Sequence, residues 1–155
     1  MAVGLKWPND LFVGDRKLAG VLTESSVHGG RVDAGHRHGP QRQLARRGAG
    51  GAGELAVALN QLAGRTVDRV ALAIALVTGF DAELAMLEGP GGEQAVLAAY
   101  RAASATVGRT VRLELPDGPV VGRALDVDDD GHIVVELDGQ RRTFAAVDVT
   151  HLRLQ

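Results

Sequence analysis

Lys6-Trp7-Pro8-Asn9-Asp10 and, after six intervening residues, Lys17-Leu18-Ala19-Gly20-Val21-Leu22 decide how this chain is read. Pro8 fixes φ while Asn9 and Asp10 tolerate turn geometry, so the first stretch turns sharply. Ala2 to Leu5 reads as a short strand before it. Leu11 to Val13 and Lys17 to Thr23 read as two strands around Gly14-Asp15, a hairpin signal. The near-continuous apolar run of Leu18, Ala19, Val21 and Leu22 predicts a buried strand. Two lysines, an amide, a carboxylate and a glycine thus fall close together. Such a cluster can place a cation between two anions as they approach.

Outward from this hairpin the character changes. Residues 28–53 hold His28-Gly29-Gly30, Gly35-His36-Arg37-His38-Gly39-Pro40 and Arg46-Arg47-Gly48-Ala49-Gly50-Gly51. No strand or helix period runs through them, which predicts an irregular segment. Glu54 to Leu62 reads as a short helix stopped by Gly64. Thr66-Val67-Asp68 offers caps for a helix to about Glu88, with Val70, Ala73, Ile74, Val77, Phe80, Leu84 and Leu87 at helical spacing. Gly89-Pro90-Gly91-Gly92 ends it, and Glu93 to Val107 reads as another helix, closed by Gly108. The remainder reads as short strands at 110–115, 120–127, 132–137, 142–145 and 150–154. Pro116-Asp117-Gly118, Asp128-Asp129-Asp130-Gly131 and Asp138-Gly139 separate several of them, as in a small antiparallel barrel.

The chain has 155 residues, 45% of them hydrophobic and 3% aromatic, with no cysteine and a formal net charge of −2. A core of Val, Leu, Ile and Ala follows. Disulfides, thiolate zinc sites and thiol catalysis are excluded. The charge balance favours neither nucleic acid nor an anionic membrane surface. The longest apolar run, Val70 to Val77, is shorter than the ~20 residues of a bilayer span, so no membrane segment is expected.

Together the two motifs resemble the biotin–protein ligases. The resemblance covers residues 2–24 by motif and 54–155 by layout. It implies an α+β fold: a partial class II synthetase-like α/β catalytic domain over 1–107, followed by a small antiparallel SH3-like β-barrel over 108–155. The implied reaction joins biotin to ATP as biotinyl-AMP and then passes biotin to a lysine of a carrier protein. ATP and biotin are the implied substrates, with Mg²⁺ accompanying ATP. The implied partner is the biotin carboxyl carrier domain of acetyl-CoA carboxylase, and the implied setting is cytoplasmic. With no helix-turn-helix in the sequence, no nucleic acid is expected as a partner.

By motif position, Lys17 is the implied catalytic cation, contacting the biotin carboxyl and the reacting phosphate. Asp10 would orient and help deprotonate the incoming lysine. Gly20 would let the backbone approach biotin, and Lys6 and Trp7 would shape the same wall. Asn9 would hold either the turn or the nucleotide region. Each has a plainer reading: a solvated strand lysine, an Asx turn at Asp10, packing for Trp7.

Two family features lack a counterpart. Nothing before Lys6 supplies the family's Gly/Arg-rich loop and its contacts to biotin. A glycine-rich strand ending in Asn is also missing, and residues 28–53 stand in its place. If codons for residues 37–45 are read one base later, they can spell Gly-Met-Gly-Leu-Asn-Val-Asn-Trp-Pro, close to the family's strand. A frameshifted segment is therefore expected there.

His28, His36 and His38 carry no metal pattern, and Asp126 to Gly131 lacks the spacing of a calcium loop; no metal site is expected. The leading hypothesis is a biotin–[acetyl-CoA-carboxylase] ligase whose activity is impaired in this chain. The alternative is a non-catalytic remnant whose SH3-like barrel docks a protein.

Overall fold

The computed structural model describes residues 2–28, 31–40, 56–145 and 147–151. The chain divides into two compact units, Met1–Gly4 with Asn9–Val67, and Leu5–Pro8 with Asp68–Gln155. The sequence reading set its boundary at 107/108. In the structure the residues from Asp68 onward group with the C-terminal strands.

Strands β1 (Gly4–Lys6), β2 (Asp10–Val13), β3 (Arg16–His28) and β4 (Arg31–Pro40) are ordered β1-β2-β3-β4 in one sheet, of which β2, β3 and β4 lie in the first unit while β1 leaves it after Gly4. β2, β3 and β4 pair antiparallel. The expectation of an irregular segment over 28–53 fails at Arg31–Pro40, which runs antiparallel to β3 from His28↔Arg31 to Ala19↔Pro40. The ladder is made by main-chain groups, which every residue but proline supplies. Side-chain periodicity therefore cannot exclude it. Residues 41–53, the rest of that expectation, lie outside the described residues.

The helix expected over 54–62 is shorter. Helix α1 spans Leu59–Ala63 and ends at Gly64, whose φ of 64° is left-handed as a C-terminal glycine allows. Ala56 to Ala58 stay extended because Val57 N–H donates to Lys17 O at 2.9 Å. Gln61 Oε1 then accepts from Ala58 N–H at 2.9 Å and starts the helix. Val13, Leu18 and Val57 are buried together, with Leu11, Leu59 and Leu62 packed around them.

In the second unit, helix α2 (Arg69–Leu87) begins where Asp68 caps Val70 and Ala71 N–H at 2.9 and 3.1 Å. Helix α3 (Gly92–Ala103) follows. Strands β5 (Thr110–Leu115), β6 (Gly118–Val127), β7 (Ile133–Leu137), β8 (Gln140–Phe144) and β9 (Asp148–His151) make an antiparallel sheet ordered β8-β7-β6-β5-β9. The sheet is not closed into a barrel. Asp138 and Gly139 at the β7–β8 turn have φ of 51° and 76°, the paired positive values of a two-residue hairpin. Val111, Leu113, Ala124, Val127, Ile133, Val135, Leu137 and Val149 form the core, and Leu97, Tyr100 and Val107 pack against it.

Tyr100 O–H donates to Pro8 O at 3.1 Å. Burial pushes the phenol up to about 12. A group that is harder to ionise when folded stabilises fully below its unfolded value near 10 and loses that contribution as pH rises toward 12. We expect Tyr100→Phe to cost about 0.5–1 kcal/mol at pH 8. The gap to wild type should shrink or reverse at pH 11, as read by urea unfolding at both pH values.

Candidate functional site

The β2–β3 register fixes the site. Asp10 faces Gly20, Leu11 faces Ala19, and then Phe12 faces Lys17, so Leu18 is an extra residue in β3. In a regular strand, Lys17 and Gly20, three apart, would point to opposite faces. The bulge changes that parity and turns Lys17 to the face of Asp10 and Phe12. It also turns Leu18 inward, where it is 8% exposed beside Val13 and Val57.

On that face Lys17 Nζ lies 2.6 Å from Asp10 Oδ1, with side-chain exposures of 36% and 17%. Gly20 lies beneath the pair. A methyl group there would come 2.9 Å from Asp10 Oδ1, 3.2 Å from Lys17 Nζ and 3.3 Å from Lys17 Cε. Gly20 is thus a close-approach glycine, and the groups approaching it are the ion pair. Asn9 Nδ2 donates to Val21 O at 2.6 Å, while Val21 N–H donates to Asn9 O at 2.8 Å. These two bonds tie Asn9 to Val21 at the turn into β3.

Asp10, Lys17, Gly20 and Asn9 are therefore brought together in one unit. Lys6 and Trp7 belong to the other unit. Lys6 lies half-buried in β1. Trp7 is 2% exposed and is part of the C-terminal core. Its indole Nε1–H donates to Gly131 O at 2.9 Å, and its backbone N–H donates to Thr106 Oγ1 at 3.0 Å. These contacts pack Trp7 into that core. Sequence reasoning missed both the bulge and Ala56, which bridges Lys17 in parallel. The odd separation of Lys17 and Gly20 was the available signal for the bulge.

We expect Gly20→Ala to push the Asp10 carboxylate and the Lys17 ammonium apart while leaving the strands paired. The pair is partly exposed, so the stability cost should stay within about 1 kcal/mol. A crystal structure of the variant should show the Nζ–Oδ1 distance beyond hydrogen-bond range.

Asp128, Asp130 and His132 bring one ligand atom each within 4.8 Å of one another. Asp128 Oδ1 already accepts from Asp130 and His132 N–H at 3.1 and 2.8 Å, which caps the turn.

Residues 1–36 match the Biotin/lipoate A/B protein ligase family, and residues 106–152 match the Biotin protein ligase C terminal domain. The chain is 34% identical to a Biotin--[acetyl-CoA-carboxylase] ligase of Mycobacterium tuberculosis, over 97% of this chain and 53% of that protein. The chain belongs to the biotin–protein ligase family. It is 30% identical to the Bifunctional ligase/repressor BirA of Escherichia coli, over 88% of this chain and 42% of that protein. Biotin–protein ligases are enzymes, and the chain spans about half the length of the curated relatives it matches.

The fold agrees. A biotin protein ligase from Aquifex aeolicus, solved with biotin and ATP, superposes with a TM-score of 0.73 at 18% identity, covering 99% of this chain and 63% of that one. The apo form of the Aquifex aeolicus protein gives 0.77 at 17% identity, covering 98% and 66%.

Proposed function

We propose that this chain serves the ATP-dependent attachment of biotin to a lysine of a biotin carboxyl carrier protein, through biotinyl-AMP. The Lys17–Asp10 pair at 2.6 Å over Gly20 carries the reading. A biotin carboxylate oxygen attacks the α-phosphorus of ATP, and pyrophosphate leaves. Both reactants are anions, and the Lys17 ammonium screens them as charge builds on the phosphate oxygens. Lysine suits this task because its compact charge swings on a flexible stem. The carrier lysine's amine then attacks the carbonyl carbon, and AMP leaves. Asp10 orients that amine and takes up its proton.

Mg²⁺ travels with ATP in this reading, since the Asp10 carboxylate is already engaged by Lys17. The C-terminal sheet would serve as the SH3-like module, with the catalytic portion in 1–107. The carrier would be that of acetyl-CoA carboxylase, the substrate named for the Mycobacterium tuberculosis relative, and the setting cytoplasmic. Residues 28–53 would be the product of a shifted reading frame, which sequencing the gene across codons 28–54 would check.

Grafting residues 2–24 into the Mycobacterium tuberculosis ligase, in place of its matching segment, tests the site. The hybrid should biotinylate a carrier domain within about tenfold of the parent, about 1.4 kcal/mol of barrier. Loss of adenylation in a folded hybrid would sink the assignment.

A further inference from the structure

Helix α2 has none of its residues buried. By length and composition alone it is apolar enough to cross a membrane, so the sequence argument from the shorter run Val70 to Val77 does not exclude a span. Nothing in the structure shows what covers it. On the β2–β3 face the occupant is visible. Outside its own chain neighbours, the atoms nearest to a methyl group placed on Gly20 are Asp10 Oδ1, Lys17 Nζ and Lys17 Cε, at 2.9, 3.2 and 3.3 Å. That is the space in which the backbone was expected to meet biotin. The resting chain fills it with a carboxylate of its own.

We propose that Asp10 is the internal occupant of a carboxylate seat on Lys17, and that the substrate's acid group takes its place there by exchange. The proposal rests on the ligase reading of this site. An ammonium has three donors, so room remains on Lys17 for a second acceptor. Charge decides against sharing. The α-phosphate must reach the same ammonium, and with Asp10 still in place three anions would crowd one cation. Carboxylates that share a site repel one another. Parting the pair is easy by comparison. Its side chains are 36% and 17% exposed, and a partly exposed ion pair contributes little. Rotation of the Asp10 side chain is enough, with its backbone still paired to Gly20 in the β2–β3 ladder. The exchange also sets an order. Until an acid arrives, Asp10 is engaged by Lys17 and cannot serve a carrier amine. Once the acid holds Lys17, the released carboxylate orients that amine and accepts its proton.

Nuclear magnetic resonance of the full chain tests the exchange. Lys6 and Lys17 are its two lysines, so isotope labelling of lysine side-chain nitrogens gives two signals. Chloride is replaced stepwise by pentanoate at constant ionic strength, with pentanamide as the uncharged control. Lys17 Nζ should shift and saturate with pentanoate and stay still with pentanamide. The Asp10 carboxyl carbon should move with the same half-saturation, toward the position of an unpaired aspartate. Asp10→Asn removes the occupant and should tighten half-saturation about fivefold, since an exposed pair contributes at most about that factor. A Lys17 shift with an unmoved Asp10 carbon would overturn the proposal, because the acid would then have joined the pair. Tightening in Asp10→Asn beside that unmoved carbon would be lost repulsion alone. The absence of a saturable Lys17 shift, an equal response to pentanamide, or an Asp10→Asn variant that binds no tighter would also overturn it. Loss of adenylation in the folded hybrid strikes the ligase reading instead. A flat titration beside an active hybrid strikes the exchange alone.

Discussion

Trp7→Ala is expected to unfold the C-terminal unit. Trp7 is the chain's single tryptophan and is 2% exposed, packed among Val111, Leu113, Ile133 and Val135. Truncating a buried tryptophan to alanine costs about 3–5 kcal/mol, because the transfer energy is lost and a cavity is left. Gly131 O also loses its donor. A domain is stable by about 5–15 kcal/mol in total, so a small unit would lose a large share. Circular dichroism under urea should show the midpoint fall or the folded baseline vanish. Trp7→Phe retains a ring and gives up the indole N–H, so it should lose only about 1–2 kcal/mol. An unchanged midpoint for the alanine variant would mean that Trp7 does not hold this core together.

Lys17→Ala in the hybrid ligase should lower biotinyl-AMP formation by about 100- to 1,000-fold, the usual effect of deleting one donor aimed at developing charge. Stability should change by no more than about 1 kcal/mol, since the pair is partly exposed. The two readouts separate chemistry from folding. Biotin-dependent exchange of labelled pyrophosphate into ATP measures the first, and thermal melting the second. Wild-type exchange would remove Lys17 from the mechanism. Lys17→Arg keeps the charge but presents a planar fork, so it should recover only part of the rate.

The hairpin, the two longer helices and the C-terminal strands were legible because their signals are local. Asp68 before an apolar period starts α2 as expected, and Asp138-Gly139 makes the β7–β8 turn. The membership of Trp7 was not legible. Its partners Thr106 and Gly131 lie 99 and 124 residues away, and no neighbouring residue hints at them. An aromatic content of 3% was the one clue, since a mostly aliphatic core gains much from its one tryptophan. The nearness of Asp10 and Lys17 was legible but not their ion pair, because their meeting depends on the extra residue at Leu18. Residues 31–40 were misread because a backbone ladder leaves no trace in side-chain order.

Assigning Leu5–Pro8 to the second unit means that the polypeptide passes between the two units three times, after Gly4, after Pro8 and after Val67. No single scission separates them whole. Clipping after Val67 would release a C-terminal piece stripped of its indole. Recombination that moved this module between genes as a cassette would have to carry four residues from near the opposite end.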